Sequence, residues 1–253
     1  MRLFDNAFSP FARKVRLVLD RKGLDHEVVD GLAPSGHAAL AAINPRIEVP
    51  ALQDGDLVVI NSADIVAYLD HRYPVPAVWP SDPALRAQAR AWERRADTEL
   101  DAILHDMSYG GIGFPEAPPA GLLDAGRKDL EAMYADLEQA LEGREFICGD
   151  LSIADLALFP HMTAVRILGV PIDGDRHPRL LAWYKRMRAL DICRADLSRA
   201  QDWLARLMPS TPRPGRIVWR GDRIEWLLAA GHHEWFFGEI RAGRVAWPRR
   251  AGR

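Results

Sequence analysis

The chain has little cysteine and no long apolar run, and both scarcities restrict what it can be. Its two cysteines, Cys148 and Cys193, are too few for a disulfide framework or a cysteine-based metal site, which favours a reducing, cytoplasmic location. No apolar run is long enough to span a bilayer. No signal peptide is recognisable, because Arg2 and Asp5 are charged and no long apolar segment follows them.

Lysine and net charge are also scarce. Only 4 of the 33 basic residues are lysine, a skew toward arginine that we attribute to genome composition and not to phosphate recognition. The formal net charge of −2 gives no indication of a nucleic-acid or membrane partner. Two adjacent histidines, His232 and His233, would point in different directions from a helix, so no metal site is predicted.

The most informative segment that is present is residues 9–16, Ser-Pro-Phe-Ala-Arg-Lys-Val-Arg. Pro10 suits the first helical position, since it has no N–H to lose, and Ser9 then falls at the N-cap. Apolar residues at helical spacing follow, and Gly23 is a plausible stop. The start of such a helix carries partial positive charge and favours an anion such as a thiolate. On these residues alone, Ser9 is interpreted as a cap.

Residues 1–73 alternate short apolar runs with helical patterns. Residues 1–4 and 27–30 are predicted strands on either side of the first helix, which implies parallel neighbours. Residues 49–53 and 57–60 are a predicted hairpin with Asp-Gly as its turn signal, and Ser62 begins a further helix. The pattern predicts a mixed sheet.

Prolines then mark a boundary, and the rest of the chain is helical. Four prolines within residues 74–83 indicate a linker. Helices are predicted over residues 84–107, 122–141, 179–190 and 193–207, within an all-helical domain of residues 84–208. Ser152 and Asp155 form a capping-box signature for another helix, and we assign them no chemistry.

Residues 209–253 form a third part that is rich in aromatics. They hold four of the eight tryptophans, and Phe236 and Phe237 as well. Disordered tails are poor in aromatic residues, so we expect a folded extension. It could pack against its own helical domain, cover the active-site cleft or bind a partner.

Four segments in order resemble the cytosolic glutathione transferase superfamily. They are residues 9–16, residues 44–52 (Asn-Pro-Arg-Ile-Glu-Val-Pro-Ala-Leu), residues 60–69 (Ile-Asn-Ser-Ala-Asp-Ile-Val-Ala-Tyr-Leu) and residues 149–158 (Gly-Asp-Leu-Ser-Ile-Ala-Asp-Leu-Ala-Leu). The resemblance covers roughly residues 1–208. It implies an α/β thioredoxin-like domain followed by an all-α bundle, with glutathione as co-substrate, no metal, and a homodimer by analogy.

The resemblance also implies roles for individual residues. Ser9 stands where serine-type members hold the hydroxyl that stabilises the glutathione thiolate. Pro50 matches the family's cis-proline, and the backbone of Val49 would pair with the cysteinyl part of glutathione. Ser62 would hold the γ-glutamyl carboxylate. Because residues 9–12 contain no thiol, disulfide exchange is disfavoured and conjugation is favoured.

Two departures from the family pattern bear on glutathione binding. Asn61 replaces an acidic residue or glutamine that faces the amino group, and it keeps an acceptor but loses the charge. Glu48 stands where lysine often lies beside the glycine carboxylate, and Ile47 replaces a common glycine. Arg46 or Arg13 could supply the missing positive charge, although both could be solvated, and we expect Arg13 to lie on the surface. Each lost charge-assisted contact costs about 1–3 kcal/mol, so glutathione binding could be weak.

The acceptor site is expected between the two domains, where apolar side chains suit a small hydrophobic electrophile. Its candidate residues are Phe8, Phe11, His105, Tyr109, Ile112 and Phe114. For each of them, ordinary interdomain packing is the alternative. His105 would share a helix face with Tyr109 if the helix runs that far, and could act as a general base.

Three functions follow from these observations. The first is a glutathione transferase that activates glutathione at Ser9 for attack on an apolar electrophile. The second is a glutathione-dependent lyase, dehalogenase or isomerase with the same thiolate step. The third is a non-catalytic binding or scaffold protein that uses its tryptophan-rich extension for a partner.

Overall fold

The N-terminal part is a four-stranded mixed sheet with helices. A computed structural model describes residues 1–108, 118–206, 216–217 and 220–246 of the chain. The strands are β1 (Arg2–Asp5), β2 (Glu27–Asp30), β3 (Ala51–Asp54) and β4 (Leu57–Ile60), in the order β2-β1-β3-β4. β1 pairs with β2 in parallel and with β3 antiparallel, and β3–β4 is the predicted hairpin. This is the topology of a thioredoxin-like domain, and the predicted fold class is confirmed.

Helix α1 (Pro10–Arg21) connects β1 to β2 and is buried on all sides. Its apolar residues, such as Val15 and Leu19, belong to a core that runs without interruption into the helical domain. Its basic residues are buried as well, and they pair with carboxylates of the helical domain. The structure therefore places the polar face of α1 against a second domain.

Helix α2 (Pro34–Ile43) was not predicted from the sequence. Its Ala- and Gly-containing segment buries only Gly36 and Leu40, so it gives no strong apolar period. Gly36 is needed at its position, because a Cβ there would lie 2.1 Å from the carbonyl oxygen of Asp30. Helix α3 (Ser62–Arg72) completes this part, and the predicted start at Ser62 is confirmed.

The second part is an all-helical bundle. The described helices are α4 (Pro83–Arg95), α5 (Asp101–Met107), α6 (Leu122–Ala140), α7 (Ile153–Met162), α8 (Pro178–Ala189) and α9 (Asp191–Arg206). A π-helical turn, Ala96–Leu100, joins α4 to α5 within the single long helix that the sequence predicts. The capping box at the start of α7 is confirmed, with Ser152 as the N-cap and Asp155 at the third helical position.

The described residues of the extension pack onto this bundle. They form α10 (Gly221–Ala229), α11 (His233–Arg241) and two short parallel strands, β5 (Arg216–Ile217) and β6 (Val245–Ala246). Leu227 and Phe236 are buried against Leu122 of α6, and the indole Nε1 of Trp226 donates to Asp129 at 2.9 Å. No helix in the described part of the chain is long and apolar enough to cross a membrane.

Candidate functional site

Ser9 lies in a tight turn between β1 and α1. Its backbone N–H donates to the carbonyl of Asn6 at 2.9 Å, and the Asn6 side chain accepts from the N–H of Phe8 at 3.1 Å. Ser9 is the N-cap of α1, and its Oγ accepts from the N–H of Ala12 at 3.4 Å. Because this contact uses a lone pair of the oxygen, the hydroxyl proton is left to donate to an anion. The helix terminus adds a positive potential at the same place.

The Val49–Pro50 peptide bond is cis, as the resemblance implies. Pro50 is buried and immediately precedes β3, whose Ala51 pairs with Phe4 on β1. The same β1 strand leads into the turn that carries Ser9. Val49 therefore lies two residues before the first paired residue of β3, at the end of the sheet where α1 begins.

Asn61 and Ser62 lie where β4 turns into α3. Asn61 has a φ of 67°, a left-handed conformation that costs about 1–3 kcal/mol in a residue other than glycine. Its side-chain N–H donates to Asp64 in the first turn of α3 at 3.2 Å, which leaves the amide oxygen as an acceptor. Ser62 is buried and is the first helical residue, so its N–H is one of those that a helix leaves unpaired. Asp64 thus restores a negative charge beside Asn61, which the sequence analysis missed.

Arg46 and Glu48 form an exposed ion pair. A guanidinium nitrogen of Arg46 lies 2.7 Å from a carboxylate oxygen of Glu48. A hydrogen bond to that carboxylate raises the pKa of Arg46 above its ordinary value. Ile47, between them, has a φ of 55°, which explains why glycine suits this position. The charge of Glu48 is therefore partly neutralised within its own loop.

Arg13 is not on the surface, and that expectation was wrong. Its guanidinium lies 2.7 Å from Asp196 of α9, and it also donates to the hydroxyl of Thr163 at 2.9 Å and to the carbonyl of Pro160 at 3.2 Å. The side chain is 5% exposed. Arg13 therefore joins α1 to the helical domain and does not face the loop of Glu48.

Two aromatic residues lie on either side of Ser9 in sequence. Phe8 is 50% exposed and stacks on Trp203 of α9, with ring centroids 5.7 Å apart. Phe11 is half-buried, and its ring meets His161 of α7 edge to face at 5.7 Å. The guanidinium carbon of Arg220, from the extension, lies 4.7 Å from the centroid of the Phe11 ring. The extension therefore reaches the neighbourhood of Ser9.

His105 belongs to a cluster of polar residues beneath this region. Its Nε2 lies 3.3 Å from a guanidinium nitrogen of Arg223, which can only donate. A general base needs that lone pair, so the contact disfavours such a role for His105. Helix α5 ends at Met107, and Tyr109, Ile112 and Phe114 lie outside the described residues.

A buried ion pair anchors the extension in this cluster. Arg223 of α10 donates to both carboxylate oxygens of Asp101 at 2.8 and 3.1 Å. Burial alone would raise the pKa of Asp101, but Arg223 and His161 outweigh it and hold the pKa well below the usual range. Among the described residues, no three His, Cys, Asp or Glu side chains are grouped as a metal site would require.

Comparison with known proteins identifies the family. Residues 3–77 match the glutathione S-transferase N-terminal domain, and residues 120–186 match the glutathione S-transferase C-terminal domain. Glutathione transferase GST 23 of Zea mays is 32% identical over 200 residues, which cover 75% of this chain and 85% of the maize protein. The chain belongs to the glutathione transferase family.

Other members of the glutathione transferase family are similar to this one. Glutathione S-transferase theta-1 of Mus musculus is 34% identical over 161 residues, covering 60% of this chain and 65% of the mouse protein, just under two thirds of its length. Pyrimidodiazepine synthase of Drosophila melanogaster is 30% identical over 205 residues, covering 74% of this chain and 76% of that enzyme. A solved glutathione S-transferase from Rhodospirillum rubrum F11 has a TM-score of 0.67 at 26% identity and covers 78% of this chain and 91% of its own.

Proposed function

We propose that this chain is a glutathione transferase in which Ser9 stabilises the glutathione thiolate for attack on an apolar electrophile. The observation that carries the proposal is the Ser9 hydroxyl, held at the start of α1 with its proton left to donate. A free thiol with a pKa of about 8.5 is only a few per cent ionised at neutral pH. A hydroxyl donor and the positive helix terminus both favour the ionised, nucleophilic form.

The other residues that we propose to bind glutathione lie at the same end of the sheet as Ser9. The backbone of Val49, before the cis Pro50, is proposed to pair with the cysteinyl unit. Ser62, at the start of α3, is proposed to bind the γ-glutamyl carboxylate, and Asn61 with Asp64 to receive the amino group. Two further residues are assigned to binding in the same way, Arg46 beside the glycine carboxylate and Phe11 beside the thiol.

The acceptor is proposed to lie against the aromatic side chains next to Ser9. Phe8 offers an exposed ring face on its stack with Trp203, and Phe11 offers a half-buried one. His105 is proposed as a lining residue, together with Tyr109, which lies outside the described part of the chain. Aromatic faces of this kind suit a small hydrophobic electrophile.

Replacing Ser9 with alanine tests the activating role. We expect kcat/KM for glutathione conjugation to fall by about 10²-fold or more, since one donor to the developing anion is lost. The free energy of unfolding should fall by only about 0.5 kcal/mol, because the cap hydrogen bond is long at 3.4 Å. The matched control is Ser35→Ala at an exposed position of α2. An unchanged rate in Ser9→Ala would remove Ser9 as the activator.

Calorimetric titration with glutathione and with an S-alkylated glutathione tests the site itself. Binding at micromolar to low millimolar strength is expected. No heat at millimolar ligand, at two temperatures, would favour the non-catalytic scaffold instead. Glutathione binding without conjugation of any electrophile would favour the lyase, dehalogenase or isomerase alternative, an activity range illustrated by the synthase among the relatives.

We further propose a cytoplasmic homodimer, by analogy with the family. Both cysteines are free and buried, as in proteins of reducing compartments. Light scattering on the purified protein should give twice the mass of the chain, and a monomer at micromolar concentration would exclude the dimer.

A further inference from the structure

Arg220 is the described residue of the extension that approaches Ser9 through Phe11. It is the N-cap of α10, and its guanidinium lies over the Phe11 ring at 4.7 Å. Phe11 follows Ser9 by two helical positions, about 3 Å along the helix axis. The guanidinium is therefore a positive charge beside the first turn of α1, where it borders the Phe11 side of the proposed acceptor region.

The hydrogen-bonding capacity of Arg220 is largely unused. Its side chain is 34% exposed, and its ion pair among the described residues is with Asp222 at 3.4 Å. Its Nε is buried and has no hydrogen-bond partner within the described part of the chain. A guanidinium that lies over an aromatic ring still has N–H groups that point outward from its own edge. These groups can bind a carboxylate through two parallel hydrogen bonds.

The charged residues near Arg220 take up little of its hydrogen-bonding capacity. Arg223, three residues along α10, is committed to the buried carboxylate of Asp101, and His105 accepts from the same guanidinium. The pair with Asp222 is long and half-exposed, and pairs of this kind contribute about 0–1 kcal/mol. Asp222 lies in the first turn of α10, so the helix terminus still stabilises its charge if Arg220 turns to a ligand.

We propose that Arg220 binds a carboxylate on the acceptor, so that the preferred electrophile combines an aromatic or apolar body with an anionic group. This inference rests on the proposed function and narrows its substrate class. The apolar body would lie against Phe8 and Phe11, and the carboxylate would reach Arg220. In the reaction the glutathione sulfur forms a bond to the electrophilic carbon, the leaving group departs with its electron pair, and the thiol proton passes to solvent.

Two acceptors with the same reacting carbon but a charged or an uncharged para group test the proposal, para-(bromomethyl)benzoate and its methyl ester. Both lose bromide to the glutathione thiolate at the same benzylic carbon. The wild-type protein should prefer the acid, and the ratio of kcat/KM for acid over ester should fall about tenfold or more in Arg220→Gln, through a higher KM for the acid. Arg220→Lys keeps the charge but loses the planar guanidinium, so its acid-over-ester ratio should lie between those of the wild type and Arg220→Gln.

Two further variants control for charge and competition. Arg241→Gln removes an exposed arginine elsewhere in the extension and should leave the ratio at its wild-type value. Asp222→Asn removes the carboxylate that competes weakly for Arg220, and it should raise the ratio of kcat/KM for the acid over the ester. The two protein thiols are buried, and burial raises the pKa of Cys148 and raises that of Cys193 to about 12, so they should not consume the bromides.

Calorimetry with the two S-benzyl conjugates of glutathione separates binding from catalysis. Tighter binding of the acid conjugate, lost in Arg220→Gln, supports the proposal. Equal binding of both conjugates to the wild type overturns it and leaves the proposed function standing. A higher Kd for glutathione itself in Arg220→Gln, with an unchanged ratio, overturns it by assigning Arg220 to the peptide. Binding of neither conjugate to the wild type overturns the proposed function and this inference with it.

Discussion

At the scale of single residues, Glu48 is the clearest departure from the family pattern at the proposed glutathione site. It is 26% exposed and pairs with Arg46, so its negative charge is reduced but not removed. We expect Glu48→Gln to lower the Kd for glutathione about two- to fivefold, since exposed charges contribute about 0.5–1 kcal/mol. Titration calorimetry measures this. Glu27→Gln on β2 is the control, and a higher Kd in Glu48→Gln would show that the residue does not face the glycine carboxylate.

Single residues also show what the sequence could not reveal. Ser9, Pro50, Asn61 and Ser62 could be assigned to the proposed site because each stands in a local motif. Arg13 was assigned to the surface, because its partner, Asp196, lies 183 residues away and leaves no mark on the helix that carries Arg13. Arg220 was missed for the same reason.

At the scale of elements, α1 is positioned by buried charges as well as by its apolar stripe. Asp196 is fully buried and receives Arg13 at 2.7 Å and Arg16 at 2.9 Å, and Lys14 pairs with Glu93 at 3.0 Å and with Asp97 at 2.6 Å. Burying an ion pair is costly in itself, but removing one partner leaves an uncompensated charge. These pairs make the position of α1, and so of its N terminus, dependent on the helical domain.

Asp196→Asn tests that dependence. We expect the free energy of unfolding to fall by about 3–5 kcal/mol, because the buried Arg13 loses its counter-charge and the buried Arg16 keeps only that of Asp5. Urea denaturation at fixed protein concentration measures the loss. Asp202→Asn, an exposed position on the same helix, should change stability by less than about 0.5 kcal/mol. Equal stability of both variants would mean that Arg13 and Arg16 find water when Asp196 is neutral.

Helix α7 is an element whose start the sequence predicted correctly, because its start signal is local. The Asp155 carboxylate accepts from the N–H groups of Ser152 and Ile147, both at 3.0 Å, and from the indole of Trp183 at 2.8 Å. The last two contacts join α7 to the preceding loop and to α8. The capping box predicted the first contact and gave no sign of the other two.

Asp155→Ala should therefore destabilise the protein more than the loss of a helix cap would. Three buried N–H donors lose their acceptor, and we expect a fall of about 3–5 kcal/mol in the free energy of unfolding. Ser152→Ala, which removes only the hydroxyl, should cost about 1 kcal/mol. Guanidinium denaturation of both variants gives the comparison. Similar costs would mean that the buried contacts to Ile147 and Trp183 contribute little.

At the scale of the whole molecule, the sequence predicted two domains and a folded tail but not how they meet. Periodicity and turn residues identify elements, and the family motifs identify the sheet edge where glutathione is proposed to bind. Neither predicts that the tail lies on α5 and α6, since that depends on single contacts such as Trp226 with Asp129. The approach of Arg220 to Phe11 follows from this packing.

The Asp101–Arg223 pair makes the docking of the tail testable by pH. The pKa of folded Asp101 lies below the unfolded value of about 3.9, so its ionised form stabilises the fold above about pH 4, and this contribution is lost as the pH falls through the folded pKa.

In Arg223→Met the carboxylate stays buried without its guanidinium, and burial then raises its pKa. The variant should lose about 3–5 kcal/mol at pH 7 and less at pH 4.5, where protonation of Asp101 relieves the buried charge. Urea denaturation at the two pH values measures the difference, with Arg241→Met as the exposed control. A loss that is constant or grows toward acid pH would show that Asp101 becomes hydrated, and that the tail is held by its other contacts, such as those of Leu227 and Phe236 to Leu122 and of Trp226 to Asp129.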